Sequence, residues 1–448
     1  MTKRTLSLIA GVVAIAGVPF GTATAAEIAE PASGRPRVVV AVIDSAPNPY
    51  HEFFSQGGPL YGETAPSAVT PEVLAEFGID ESHIIDVTRT GDFQADFDAD
   101  RAQFDAVAKG EPYWFRGTNI IGISFNDDPG SRLRPDGNRS AHGIGTHGSV
   151  LGANPEAIVL AVESPGSDAA LYEPGYATDP IGETYAFNHP SVDFISTSYG
   201  PPFSPPAGYH LTESYSGVVE NGKIHFGAAD NSPALSGIDA TAGPWWAIGI
   251  AGFAEGASEG KEPLSGSAPD FVGDWTQTLP YCRRCESGTS EVSGTSFATP
   301  TSAGVLSDVL LEARRAAGHI GGIIKRDGEA PLMVEGNGIS LTNWELRRAL
   351  EQGAYYPTIA DYEPDLTLPV IDVAPWAEVG WGAITPDPAH DVVGQTLAHL
   401  GLGTPTRSKD AAACAFMTGN IEARHAYWDR VAQHSDSNGE TADPYIAC

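Results

Sequence analysis

The chain has 448 residues, 42 % of them hydrophobic and 18 % charged, which is enough to bury a large core and too little charge for a disordered polymer. Asp and Glu number 57 against 25 Lys and Arg, a formal net charge of -32. A surface that acidic repels phosphate backbones and anionic lipid, so nucleic acid and membrane surfaces are excluded as expected partners.

Lys3 and Arg4 precede an apolar run from Leu6 to Val18, and Ala23-Thr24-Ala25 follows as an A-x-A cleavage pattern. Residues 1–26 therefore read as a secretory signal peptide, too short in its apolar run to span a bilayer. No later stretch approaches 18 consecutive apolar residues, and the mature protein is expected to be secreted and extracellular. From residue 37, short Val/Ile-rich runs alternate with helical patterns: Arg37–Ile43, Asn119–Phe125, Ala157–Val162, Val192–Ser198, Lys223–Ala228 and Trp246–Ala251. Continuous apolar runs of this length fit strands buried on both faces, and with the intervening helices they predict an α/β fold with a doubly wound, mainly parallel sheet. The stretch from about 52 to 140, rich in Asp and Pro, reads as a surface insertion. Thr295 to about Ala317 reads as a long helix, and Thr342-Asn343-Trp344-Glu345 is a capping box that opens another, ending near Gly353. After about residue 400 the pattern weakens into a tail, 401–448, holding Cys414 and Cys448. The other cysteines, Cys282 and Cys285, form a C-x-x-C. In an exported chain these four are expected as disulfides. Three connectivities exist; the preferred one is Cys282–Cys285 with Cys414–Cys448. Zinc lacks a second ligand pair.

Four local signals follow one another along the chain. Asp44 stands directly after the run VVVAVI, at the carboxyl end of a strand, the edge where open α/β sheets bind ligands. GTHGSVLG places small residues on both sides of His147, leaving its imidazole free to face a cleft; His142 nearby competes for the same role. AADN ends the strand KIHFGA, and the Asn231 side-chain amide there can face developing negative charge. SGTSFATP opens the long helix, with Ser296 at its N-terminus, where free N–H groups and the helix dipole favour an anion. Pro300 removes a helical hydrogen bond one turn in, a local cost that asks for a compensating reason.

GTSFATP resembles the nucleophile motif of subtilisin-like serine proteases (subtilases). DSA resembles their Asp motif, GTHGSVLG their His motif and AADN their oxyanion-Asn motif, in the family's Asp…His…Ser order. VDFISTSYG is similar to the substrate-lining strand and GWGAI to the stretch that closes the domain, so the resemblance covers about 37–395. It implies Ser296 as nucleophile, His147 as general base and Asp44 as its orienting partner, with Asn231 and the Ser296 N–H holding the oxyanion. It further implies Ser198, Tyr199 and Gly200 as the edge that takes an extended substrate by strand addition. The chain departs from the family at Ala46, where Gly is usual, and at Ile144, where His is common. It also leaves only about ten residues between the cleavage site and the first strand, too few for the usual propeptide.

The expectation is a secreted serine endopeptidase, with 27–400 as its catalytic domain, acting on protein or peptide substrates through an acyl-enzyme and needing no organic cofactor. Two alternatives stand beside it. A sedolisin-like acid peptidase with a Glu-Asp-Ser triad is raised by Asp230 beside Asn231, and a subtilase-like scaffold would bind proteins without cleaving them. Many relatives bind calcium, but Asp92–Asp105 does not fit an EF-hand loop: Arg101 occupies the sixth position, where Gly is needed, and Val107 the twelfth. That run reads as a solvated acidic face. No metal ligands are assigned.

Overall fold

A computed structural model describes residues 34–61, 67–137, 140–164, 181–199, 218, 220–231, 242–244, 246–254, 260–261, 269–356, 379–409 and 411–433. The segment 1–26, Gly200 and Cys448 lie outside these residues.

The strands are β1 (Val39–Ile43), β2 (Ile84–Ile85), β3 (Pro112–Phe115), β4 (Ile120–Ser124), β5 (Ile158–Glu163), β6 (Phe194–Thr197), β7 (Ile224–Ala228), β8 (Ala247–Ala254), β9 (Gly260–Lys261), β10 (Phe271–Asp274), β11 (Thr276–Leu279), β12 (Ser290–Ser293), β13 (Val334–Gly336), β14 (Ile339–Leu341) and β15 (Ala383–Ile384). Eleven of them form one sheet in the order β15-β10-β8-β7-β6-β1-β5-β4-β3-β2, with β9 added to β8. Every pairing from β15 to β4 along that order is parallel. All six apolar runs read from the sequence are strands of this sheet. In β1 the alternation is visible residue by residue: Val40 and Val42 belong to one buried cluster, Val39, Ala41 and Ile43 to another. Both faces are covered, which is why the run is apolar without a break.

The helices are α1 (Pro71–Glu76), α2 (Phe93–Asp105), α3 (His142–Ala153), α4 (Ile181–Asn188), α5 (Thr295–Ala317), α6 (Asn343–Gly353), α7 (Val392–Leu397) and α8 (Ala411–Gln433). On one face of the sheet α3 and α5 supply Ile144, Val150, Leu306 and Val309 to the larger cluster. On the other, α1 and α4 supply Val73, Ala186 and Phe187. Helices α3 and α5 approach closely because Gly304 has no side chain: a Cβ there would stand 2.7 Å from the Val150 carbonyl oxygen. The far end of α5 is fixed by Arg314, 0 % exposed, whose guanidinium bonds both oxygens of buried Asp193 at 2.6 and 2.8 Å as well as the Arg37 and Met333 carbonyls. It terminates at Gly318, which takes a left-handed φ of 71°.

Two regions differ from the sequence reading. The stretch 52–140 is more than a surface insertion: besides β4, already read as a strand, it adds β2 and β3 to the sheet and places Phe97, Phe104 and Phe115 in the larger core. Its acidic run is helix α2, and Asp96 and Asp100 are buried rather than solvated, at 2 % and 5 % exposure. They accept hydrogen bonds from Thr90 and Thr88 at both backbone and hydroxyl, closing the loop that precedes the helix. The tail likewise holds an ordered element, α8, whose Met417 and Ile421 join the core.

Candidate active site

Asp44 follows β1 directly and its amide is held by the Val162 carbonyl of β5 at 3.1 Å. Its carboxylate is 2 % exposed. One oxygen accepts the Ser45 amide at 2.7 Å, and His142 Nδ1 lies 2.8 and 3.1 Å from the two oxygens. The Thr146 hydroxyl is 3.2 Å away on the same side. Burial works to raise the Asp44 pKa, but the charge and hydrogen bond of His142 and the Ser45 amide outweigh it and hold the carboxyl below its usual range.

His142, not His147, is therefore the imidazole on Asp44. The reason is helical phase. Both lie on α3, but at about 100° per residue Thr146 returns to the Asp44 side while His147 points about 140° away from His142. His147 is 0 % exposed, and neither ring nitrogen makes a well-formed hydrogen bond. Burial depresses its pKa to about 4, against the pull of the Asp44 charge. It is a neutral core histidine, and the expectation that it faces the cleft is corrected. The glycines around it serve packing: a Cβ on Gly143 would collide with the Ser45 carbonyl oxygen, one on Gly145 would meet Phe297 at 2.8 Å and Tyr281 at 2.9 Å, and one on Gly148 would meet Pro280 at 2.8 Å.

Ser296 sits one residue into α5 and is 8 % exposed, next to Phe297, whose ring centroid is 5.6 Å from that of His142. Gly294, with φ 147°, turns the chain into the helix. Asn231, exposed just beyond β7, lies against that turn: its Oδ1 accepts the Thr295 amide at 2.8 Å and the Thr295 hydroxyl at 2.9 Å. This fixes the Asn side chain and leaves its Nδ2 as a donor beside the helix start, where the Ser296 amide is among those with no intrahelical acceptor. Asp230 holds the strained approach, at φ 98°, with its carboxylate on the Asn231 amide at 2.6 Å.

Pro300 lacks the N–H that would bond the Ser296 carbonyl four residues earlier. The Ser198 hydroxyl donates to that carbonyl instead, at 2.7 Å, and the Ser296 hydroxyl donates to the Ser198 carbonyl at 3.2 Å. Ser198 is thus brought to the site, with its side chain turned into it. Tyr199 is 4 % exposed and its phenol donates to Glu183, so its side chain is turned inward.

The C-x-x-C loop, which the sequence reading pairs but does not place at the site, completes the surroundings. Cys282 and Cys285 lie at bonding distance, their Cα atoms 5.9 Å apart. Asn48, buried in the turn after Asp44, donates to the carbonyls of both, at 3.1 and 2.8 Å. Tyr281 of the same loop stacks edge-on against Phe297. A recess of about 740 Å³ opens beside it, lined by Tyr50, Arg89, Phe93, Arg284 and Glu286 among others, and includes none of Asp44, His142 and Ser296. Among the described residues no cluster of three or more His, Cys, Asp or Glu side chains is arranged to hold a metal ion, and no helix is long and apolar enough to cross a membrane.

The profile of the Subtilase family, peptidase S8, matches residues 35–316, more than half of the chain. The chain belongs to the subtilase family. As a subtilase it is a serine-type endopeptidase whose substrates are proteins or peptides. No curated protein matches it by sequence. Among solved structures, the prenylagaramide maturation protease PagA is 14 % identical, with 82 % of this chain and 95 % of that one covered and a TM-score of 0.45. Fervidolysin from Fervidobacterium pennivorans, a keratinolytic enzyme related to subtilisin, is 16 % identical, with 80 % and 43 % covered and a TM-score of 0.45. A mutant of the protease domain of PatA is 15 % identical, with 84 % and 99 % covered and the same TM-score.

Proposed function

We propose that this subtilase is a secreted endopeptidase whose triad is Asp44, His142 and Ser296. The observation that carries the proposal is the 2.8 Å contact between Asp44 and His142 Nδ1. With Nδ1 on the carboxylate, Nε2 is the atom that takes up a proton in this reading. In the first half-reaction Ser296 Oγ attacks the scissile carbonyl as His142 accepts its proton. His142 then protonates the leaving amine, the C–N bond breaks and an ester on Ser296 remains. Water repeats the sequence and frees the acid. Asp44 keeps the imidazole oriented and stabilises its cation throughout. The oxyanion is held by Asn231 Nδ2 and the Ser296 amide, both donors at the head of α5.

Substrate would lie along Ser198–Tyr199–Gly200 as an added strand, with the Ser198 carbonyl as an acceptor. Every group used is a residue of the chain, so the proposal requires no organic cofactor; calcium is given no role and no ligands. The acidic surface disfavours nucleic acid. Export rests on the signal-peptide pattern of residues 1–26, and the Cys282–Cys285 pair at bonding distance suits an oxidising compartment. The imidazole on Asp44 and the amide at Asn231 weigh against an acid Glu-Asp-Ser mechanism.

The test is labelling of the purified protein with a fluorophosphonate at neutral pH, with the adduct located by mass mapping. Labelling at Ser296 that disappears in Ser296→Ala and falls at least a hundredfold in His142→Ala supports the assignment. A folded protein that never labels would overturn it.

A further inference from the structure

Ser198 holds Ser296 through two hydrogen bonds, and the chain of contacts that holds Ser198 leads to a group with no role in the mechanism above. The next residue, Tyr199, donates its hydroxyl to Glu183 Oε1. Glu183 is 0 % exposed, near the start of α4, and its Oε2 accepts the Ser164 hydroxyl at 3.0 Å. Ser164 comes directly after β5, the strand whose Val162 carbonyl receives the Asp44 amide. One carboxylate thus joins the segment seating Ser296 to the strand end that fixes Asp44.

A carboxylate withdrawn this far from water is costly unless its oxygens are satisfied. Packing does not call for it, since Ala186 and Phe187 supply the apolar contact of α4. The backbone is arranged to admit it: Gly182 has no side chain, and a Cβ there would stand 2.9 Å from both Ser164 Cβ and Oγ. We propose that Glu183 is a positioning residue of the peptidase reaction, acting through Tyr199 and Ser198 to keep the Ser296 hydroxyl in register with the imidazole on Asp44. The proposal deepens the assignment of Ser296 as nucleophile and rests on it.

The test compares full-length wild type with Glu183→Gln and Tyr199→Phe. Each is titrated with a fluorophosphonate, and kcat and KM on a peptide amide are then taken per titrated site, alongside the melting temperature. Small displacements of a nucleophile cost rate steeply, so both variants should lose about tenfold or more in kcat per titrated site. KM should change less than twofold, and because both changes cut the same link, the double variant should be no slower than the worse single one. Unchanged kcat per titrated site with a lowered melting temperature would make Glu183 a structural residue and overturn the proposal. Failure of wild type itself to label would overturn the nucleophile assignment, and the proposal with it.

Discussion

Two imidazoles five residues apart, His142 and His147, have opposite fates on one helix. His142→Ala should remove the proton acceptor and cost peptidase activity by several orders of magnitude, whereas His147→Gln, which replaces a neutral core side chain, should leave kcat per titrated site within a few fold and lower the melting temperature. Steady-state kinetics normalised by titration separates the two. At Asn231, loss of one oxyanion donor costs about 2.7–4 kcal/mol of transition-state stabilisation, so Asn231→Ala should lose kcat a hundredfold or more with little change in KM. Three of the four residues of the proposed site are legible from the chain. Asp44 ends an apolar strand run, Ser296 opens a helix inside a long motif, and Asn231 ends a strand. The histidine is misread because small flanking residues draw attention to His147, while the informative signal is periodic: His142 and Thr146 are four apart and share a face, and His147 does not. Glu183 has no sequence signal at all, since its role exists only where α4, β5 and the Ser198 segment meet.

At the level of elements, the proline in α5 and the serine after β6 act as a unit. Ser198→Ala should strand the Ser296 carbonyl without a donor, a loss of about 1–3 kcal/mol in stability. Adding Pro300→Ala restores an N–H at the position that would bond this carbonyl, so the double variant should recover part of that stability. Urea melts of the four proteins check the coupling, and strict additivity would contradict it. The long parallel strands were legible because burial on both faces writes an unbroken apolar run. The hairpin β11–β12 was not, because its strands are short, polar and mostly exposed. Helix α2 was masked by its aspartates: Phe93, Phe97 and Phe104 keep a helical spacing, but Asp96 and Asp100 on the same stretch are spent on the preceding loop rather than on water.

Across the whole molecule, histidines buried in the neutral state make acid destabilising. His147 and His225 are both 0 % exposed, and burial lowers their pKa values to about 4 and about 3. Below the ordinary histidine value near 6.5 the unfolded chain takes up protons that these two sites refuse, so stability is full above about pH 6.5 and declines toward pH 4. For His147 alone the loss approaches about 3 kcal/mol. The Asp44 carboxylate adds a further loss at still lower pH, present above the unfolded carboxylate range and lost as pH falls through its depressed folded value. Calorimetry should show a level melting temperature from pH 8 to about pH 6.5 and a fall from there to pH 4, shallower in His147→Gln; a profile level down to pH 4 would contradict the buried neutral state. An acid peptidase would be poorly served by such a core. The sheet order carries another consequence, for the time before the protein is complete. β1, which presents Asp44, pairs with β5 and β6, and Ser296 is seated by a residue 98 positions earlier. A chain emerging from the ribosome holds the acid and the base long before the serine exists, and the last residue to arrive is the one that cuts. Under the proposed triad the site is therefore incomplete until residue 296 has been made and Ser198 can seat it.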